Sequence, residues 1–197
     1  YFATVALPTI MRSNGVSLTI IGLFGSLMLP WAFKFLWAPL LDRYYSLKFG
    51  KRKSWLIPLQ ILMLICLIII YNLPPNQHAE LLFGIIIALL ICAATHYLAS
   101  SAFILEQVDS GQLRFGNYAQ VVGTALGSFT GGGLFLIAYP QLGWQNSILT
   151  LVIVNLILLV VQSLVQERTA QIEANKDEKP SLISFLKREN TRNLLYL

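Results

Sequence analysis

Between Arg114 and Glu167 the chain runs for 52 residues, 115–166, without one Asp, Glu, Lys or Arg. A bilayer crossing takes about 20 apolar residues, so this stretch predicts two crossings with a turn between them. Tyr139-Pro140-Gln141-Leu142-Gly143, near its middle, carries the turn chemistry. The pattern recurs upstream: residues 81–105 and 54–79 are uncharged, and 17–41 hold only Lys34. Charged residues make up 12% of the 197 and hydrophobic ones 56%. A soluble domain carries about 25% and ~45–50%, so too little polar surface is left here to face water on all sides. The expected fold is an all-α integral membrane protein with five complete crossings at 17–41, 54–72, 80–105, 115–139 and 144–166.

Residues Tyr1–Ile10 are apolar but too short to span. They read as the end of a helix that begins earlier, and 192–197 as the start of another, so the chain is expected to be cut at both ends. No charged leader region with a cleavage site precedes the first run, so no signal peptide is expected. The domain reading is a transmembrane bundle over 1–166, a linker over 167–191 and the opening of a further helix at 192–197. In the linker, Ser181-Leu182-Ile183-Ser184-Phe185-Leu186-Lys187-Arg188 fits either a short interfacial helix or a solvated tether.

The net charge of +5 would suit nucleic acid if it formed a face, but the basic residues sit in short loops between apolar runs. Twelve of the 14 Lys and Arg fall on one side of the predicted membrane, Arg12 falls on the other, and Lys34 lies within it. The excess marks the cytoplasmic side. Cys66 and Cys92 lie inside apolar runs, so neither a disulfide framework nor a metal site is expected. There is no HExxH and no carboxylate pair within a crossing, and His78 falls in an outer turn, so an enzyme, a metal and a cofactor are not expected.

Four features carry candidate chemistry. Lys34 lies mid-helix, with Trp31 and Trp37 three residues to either side. An intramembrane lysine costs about 2.5–3.5 kcal/mol on insertion scales, which favours a wet cavity, although its long stem also allows snorkelling to the headgroups. His96 is suited by its pKa to carry a proton, and equally to sit neutral and bonded to Ser100 or a neighbouring helix. On 115–139, Asn117, Gln120, Thr124 and Ser128 form a polar stripe beside the small-residue stripe Gly123, Gly127 and Gly131. The glycines favour close helix packing, leaving the polar stripe for a cavity or for bonds between helices. Asn155 and Gln162 mark an inward face of the last crossing. Finally, Asp42 and Arg43 close one helix while Lys51-Arg52-Lys53 open the next, an arrangement suited to a latch as well as to anchoring.

Asp42-Arg43 followed by Gly50-Lys51-Arg52-Lys53 resembles the loop between the second and third helices of the major facilitator superfamily. Ala38 stands where that family has Gly, and six residues, Tyr44–Phe49, stand where one is usual. With Lys34-Phe35-Leu36-Trp37-Ala38-Pro39, the sequence is similar to the branch of AmpG-like muropeptide permeases, acetyl-CoA transporters and rhizobactin- and pyochelin-type siderophore permeases. Leu29-Pro30-Trp31, Ser54-Trp55-Leu56-Ile57-Pro58-Leu59-Gln60 and the Asn117–Gly132 pattern lean toward the siderophore permeases. Where that branch has acidic residues in its fourth helix, this chain has Tyr97 and Ser101.

The resemblance implies the N-terminal six-helix bundle of a secondary active transporter of the cytoplasmic membrane, its partners being lipid, a small anionic solute and the missing C-terminal half. The first reading is import of an iron-siderophore by symport. Lys34, Trp31, Trp37, Asn117, Gln120, Thr124 and Asn155 would hold the cargo, His96 would couple a proton, and Asp42, Arg43 and Arg52 would latch the cytoplasmic side. Muropeptide or other small-solute import is the alternative, and a half-permease that transports nothing is the reading of a different class.

Overall fold

The computed structural model describes residues 1–46, 49–74, 79–108 and 110–167. Lys48, His78 and the expected linker beyond Glu167, with its amphipathic segment and the 192–197 helix start, lie outside the described residues. Within them the protein is all-α, in the order α1 (Leu7–Ser13), α2 (Leu18–Leu23), α3 (Leu29–Phe33), α4 (Ala38–Arg43), α5 (Lys53–Tyr71), α6 (Ala79–Gln107), α7 (Leu113–Ser128) and α8 (Phe135–Leu164). Wide, π-type turns at Phe2–Ala6 and Phe129–Leu134 lead into α1 and join α7 to α8. Three stretches are long and apolar enough to cross a membrane: Lys53–Tyr71, Glu80–Gln107 and Leu113–Leu164.

The expected crossing at 17–41 is not one helix. It is three short α-helices, α2 to α4, separated by tight 3₁₀ turns at Phe24–Met28 and Lys34–Leu36. Pro30 and Pro39 occupy the first turns of α3 and α4. A proline lacks the N–H that would bond one turn back, so each restarts a helix rather than continuing it. Lys34 therefore sits at a break in the backbone. The apolar pattern predicted the length of the segment but not these interruptions.

The 52-residue run is divided at the position its turn signal marks. Helical structure passes through Pro140, and then Gly143 leaves it, with φ 72° and ψ −179°. That conformation suits a residue without Cβ, so the run is two helical limbs meeting at a glycine. Beyond it, Trp144 donates its indole N–H to the Ile70 carbonyl at 3.1 Å, tying the second limb to the end of α5.

The core forms where the first residues enter the bundle. Ala6, Leu7 and Met11 are fully buried and Phe2 packs on Phe135 with ring centroids 4.8 Å apart. Leu27 of the 24–28 turn, Ile70 of α5, Leu82 and Ile86 of α6 and Ile148 of α8 join the cluster. In lipid such contacts stabilise through close packing rather than through escape from water. The outer faces stay apolar and exposed, as with Ile153, Ile157 and Val160 on α8, which suits a hydrocarbon surround.

The glycine stripe of α7 meets a neighbour only at its end. Gly131 and Gly132 lie against Phe2, Tyr1 and Val5, whereas a side chain at Gly123 or Gly127 would meet nothing within 4 Å. The expected packing of all three glycines is therefore corrected: among the described residues, α7 is open over most of its length. It meets α6 at Gly116, which abuts Ile104, and one turn further at Gln120.

Candidate solute-binding site

Helix α6 is the wall on which the site is built. Residues one apart on a helix point about 100° apart and residues four apart share a face, so Thr95 with Ala99, His96 with Ser100 and Tyr97 with Ser101 serve three faces. Each of these faces meets a different neighbour.

The Tyr97 and Ser101 face gathers three of the residues expected to bind cargo. The Lys34 ammonium lies 4.2 Å from the centroid of the Tyr97 ring and 4.7 Å from that of Trp31. The two rings are 5.3 Å apart and inclined at 45°. One turn along, Ser101 donates to the Tyr97 carbonyl at 2.9 Å, and Gln120 of α7 donates its amide to the Ser101 hydroxyl. Lys34, Trp31 and Gln120 thus converge on one stripe of α6 although they lie on three different segments. The ion pairs among the described residues all lie at the basic end of the bundle, so Lys34 is held by aromatic faces rather than by a carboxylate.

Trp37 is not part of this cluster. Its indole N–H donates to Thr95 Oγ1 at 3.0 Å, and its ring packs beside Leu41, Leu56 and Ala99. Its backbone, at φ −107° and ψ 2°, stands where the 3₁₀ turn ends and α4 begins, and the side chain leaves toward a different face of α6. The expected pairing of two indoles around Lys34 is therefore replaced by one indole and one phenol. On α7, Thr124 is exposed and bonds back to the Gln120 carbonyl at 2.8 Å, while Asn117 is exposed one turn before Gln120.

His96 and Asn155 lie on packed faces. The His96 ring nitrogens are 3.3 Å from Gln162 Oε1 on α8 and 3.4 Å from Ser100 Oγ. The Asn155 carbonyl accepts from the buried Gln60 of α5 at 3.4 Å. Asn155 Oδ1, Gln162 Nε2 and Ser147 Oγ are buried with no partner among the described residues, a polar seam along α8 where it faces its neighbours. No described hydrogen bond connects this seam to Lys34.

At the basic end, Arg52 is the centre of a cluster and only 5% exposed. Its guanidinium bonds Asp42 Oδ1 at 2.7 Å and both oxygens of Glu106, at 2.7 and 3.0 Å, while Lys51 adds a 2.8 Å bond to Glu106. Burial opposes the Arg52 charge, yet the hydrogen bonds and charge of Glu106, joined by Asp42, outweigh it and raise the Arg52 pKa above the usual guanidinium value. Glu167 accepts from the backbone N–H groups of Arg52 and Lys53 at 3.0–3.2 Å, where the open N-terminus of α5 favours an anion. Lys53 answers by donating to the Ser163 and Val165 carbonyls at the end of α8, at 2.9 and 2.6 Å. Gly50, at φ 95°, lies so close that a Cβ would run into the Glu167 carboxylate. Arg43 stands apart, 5.6 Å over the Tyr44 ring.

Sequence reasoning missed Glu106 and Glu167 in this cluster, and Tyr97 as the second ring on Lys34. A charge count could have found Glu106, since Lys51, Arg52 and Lys53 exceed what Asp42 alone balances. Nothing in the spacing announces Glu167, which is 115 residues from Arg52.

Comparison with known proteins places this arrangement. The sequence pattern of the Major Facilitator Superfamily matches residues 1–196. The anhydromuropeptide permease of Escherichia coli K12 is 28% identical over 188 residues, covering 95% of this chain and 38% of that protein. An uncharacterized protein of Haemophilus influenzae is 31% identical over 140 residues, covering 71% of this chain and 33% of its own length. The chain thus spans about two fifths or less of the curated relatives it matches. An all-α fold with membrane-length apolar helices, a charge cluster at the Asp42 to Lys53 loop and a family match over nearly every residue agree: the chain belongs to the Major Facilitator Superfamily.

Proposed function

We propose that residues 1–166 form the N-terminal, multi-pass bundle of a secondary active transporter of the cytoplasmic membrane, and that its cargo is a small anionic solute of the muropeptide kind, carried inward by alternating access. Muropeptide import moves ahead of iron-siderophore import in this reading, because a relative covering 95% of the chain is named an anhydromuropeptide permease. The protein is then a carrier and not an enzyme. Its partners are lipid, the solute and the six-helix half that the relatives' length implies.

The observation that carries the reading is the half-buried Lys34, whose ammonium rests on two rings and faces no carboxylate among the described residues. A charge kept at that depth without a counter-ion marks a solute pathway. Trp31 supplies an apolar flank, and Gln120, Thr124 and Asn117 supply polar groups on the facing helix. The Arg52 cluster closes the opposite side of the cycle by holding the ends of α4, α6 and α8 against the start of α5. Proton symport through His96 has weaker support in the geometry, since Gln162 and Ser100 already occupy both ring nitrogens.

The test is uptake of labelled anhydromuropeptide by cells lacking their own permease and expressing the full-length gene. The expected result is uptake that Lys34→Ala abolishes at unchanged expression. Uptake of a labelled iron-siderophore in place of the muropeptide would restore the first-named cargo, and uptake of neither would favour a half-permease that transports nothing.

A further inference from the structure

We propose that Tyr97 is the positioning residue that makes the Lys34 site select a carboxylate, by holding the ammonium in place without neutralising it. The proposal rests on the transport reading above and deepens it by naming the chemical group that is recognised.

A lysine stem of four carbons can lift its ammonium toward the membrane edge, and without a partner at depth it would do so. Here the ammonium rests over two neighbouring ring faces, 4.2 Å from Tyr97 and 4.7 Å from Trp31. Ring faces attract a cation through their quadrupole and carry no net charge. A carboxylate at the same place would hold the ammonium equally well but cancel it. The aromatic pair therefore leaves one uncompensated positive charge, with N–H donors free to turn to an arriving anion.

The surroundings narrow the class of anion. The site has one ammonium and no arginine fork: among the described basic residues, Arg12, Arg43, Lys51, Arg52, Lys53 and Arg114 all lie toward the ends of the crossings. A single point charge matches a monoanion such as a carboxylate better than a polyphosphate, which calls for several cations or a bidentate guanidinium. Trp31, 40% exposed, offers its outer surface to the uncharged body of the same molecule. Ser101, on the Tyr97 stripe, fixes the Gln120 amide beside it.

The experiment uses the full-length permease in reconstituted vesicles, with Tyr97→Leu, Tyr97→Met and Tyr97→Phe. Two matched probe pairs are measured: an anhydromuropeptide against its carboxamide, and benzoate against benzamide. The expected wild-type result is a preference of about tenfold for each carboxylate, read as KM for transport and as Kd for benzoate binding. Tyr97→Leu and Tyr97→Met should bring each pair to within about twofold, by raising KM for the acid with kcat and the affinity for the amide unchanged. Tyr97→Phe keeps the ring face and should keep the preference. A role confined to helix packing would lower kcat, or weaken acid and amide alike, and would overturn the proposal. So would an undiminished acid preference in both Leu and Met variants, or a wild type that does not discriminate. Should benzoate selectivity behave as expected while no muropeptide is transported, the cargo reading fails and the role of Tyr97 stands.

Discussion

His96 and Tyr97 are neighbours in the chain, and α6 turns them into opposites. His96 meets α8, where Gln162 and Ser100 take its ring nitrogens, in line with the Gln60 and Asn155 contact on the same side. Tyr97 meets a broken segment, where it and Trp31 share a lysine that has no carboxylate partner among the described residues. On the packed side, His96 and Gln60 bond across to α8. On the open side, a charge is held but left unanswered. Two polar residues in one crossing thus carry different information, and the difference lies in what stands opposite them.

Five substitutions would break or sharpen this contrast. The largest effect is expected from Lys34→Gln, which removes the unanswered charge: transport of the anionic solute should fall by about 50-fold or more while the protein keeps its yield and thermal stability. Normal uptake with Gln at 34 would erase the distinction between the two faces. Next is Arg52→Met, which leaves Asp42 and Glu106 facing each other without their shared cation. Both carboxylates keep about a third of their exposure, so the loss should be about 2 kcal/mol, below that of a fully buried pair, and visible as a lower melting temperature of the purified protein.

His96→Ala should cost about 1 kcal/mol, the worth of its two hydrogen bonds, with uptake within about threefold of wild type and an unchanged pH profile. Loss of uptake together with a shifted pH profile would move His96 from the packed side into the proton path. The smallest and most diagnostic pair lies on α7. Gly116→Ala would put a Cβ 2.6 Å from Ile104 Cγ2 and should destabilise by about 1–2 kcal/mol. Gly123→Ala meets nothing and should stabilise the described bundle by about 0.5–1 kcal/mol through helix propensity. Equal effects at the two glycines would mean that α7 is packed along its whole length.

How far the site could be read in advance follows the same division. Lys34 stood out because a charge in a run of apolar residues has few explanations, and Gln120 because it repeats on one helical face. Trp37 was misplaced, since a spacing of three implies a shared face only while the helix is regular, and Pro39 ends that regularity. Asn155 was expected beside the cargo, but its backbone carbonyl accepts from Gln60 and no described hydrogen bond links it to the lysine. Tyr97 stood out only as a departure from the branch the sequence resembles, because an aromatic residue in a membrane helix is ordinary until its partner is known.

The amino-acid sequence by itself determined the apolar surround, the helical class, the membrane-length helices it places at 54–72 and 80–105, and the break near Gly143. Each follows from a local quantity: the length of an uncharged run, a glycine able to take positive φ, a proline lacking its donor. Only the tertiary structure decided which of the polar residues meet. Arg52 finds Glu106 and Glu167 across 54 and 115 residues, and Lys34 finds Tyr97 across a neighbouring helix. Such pairings depend on how helices are rotated about their axes, and that rotation is set by the packing of the whole bundle rather than by any one segment.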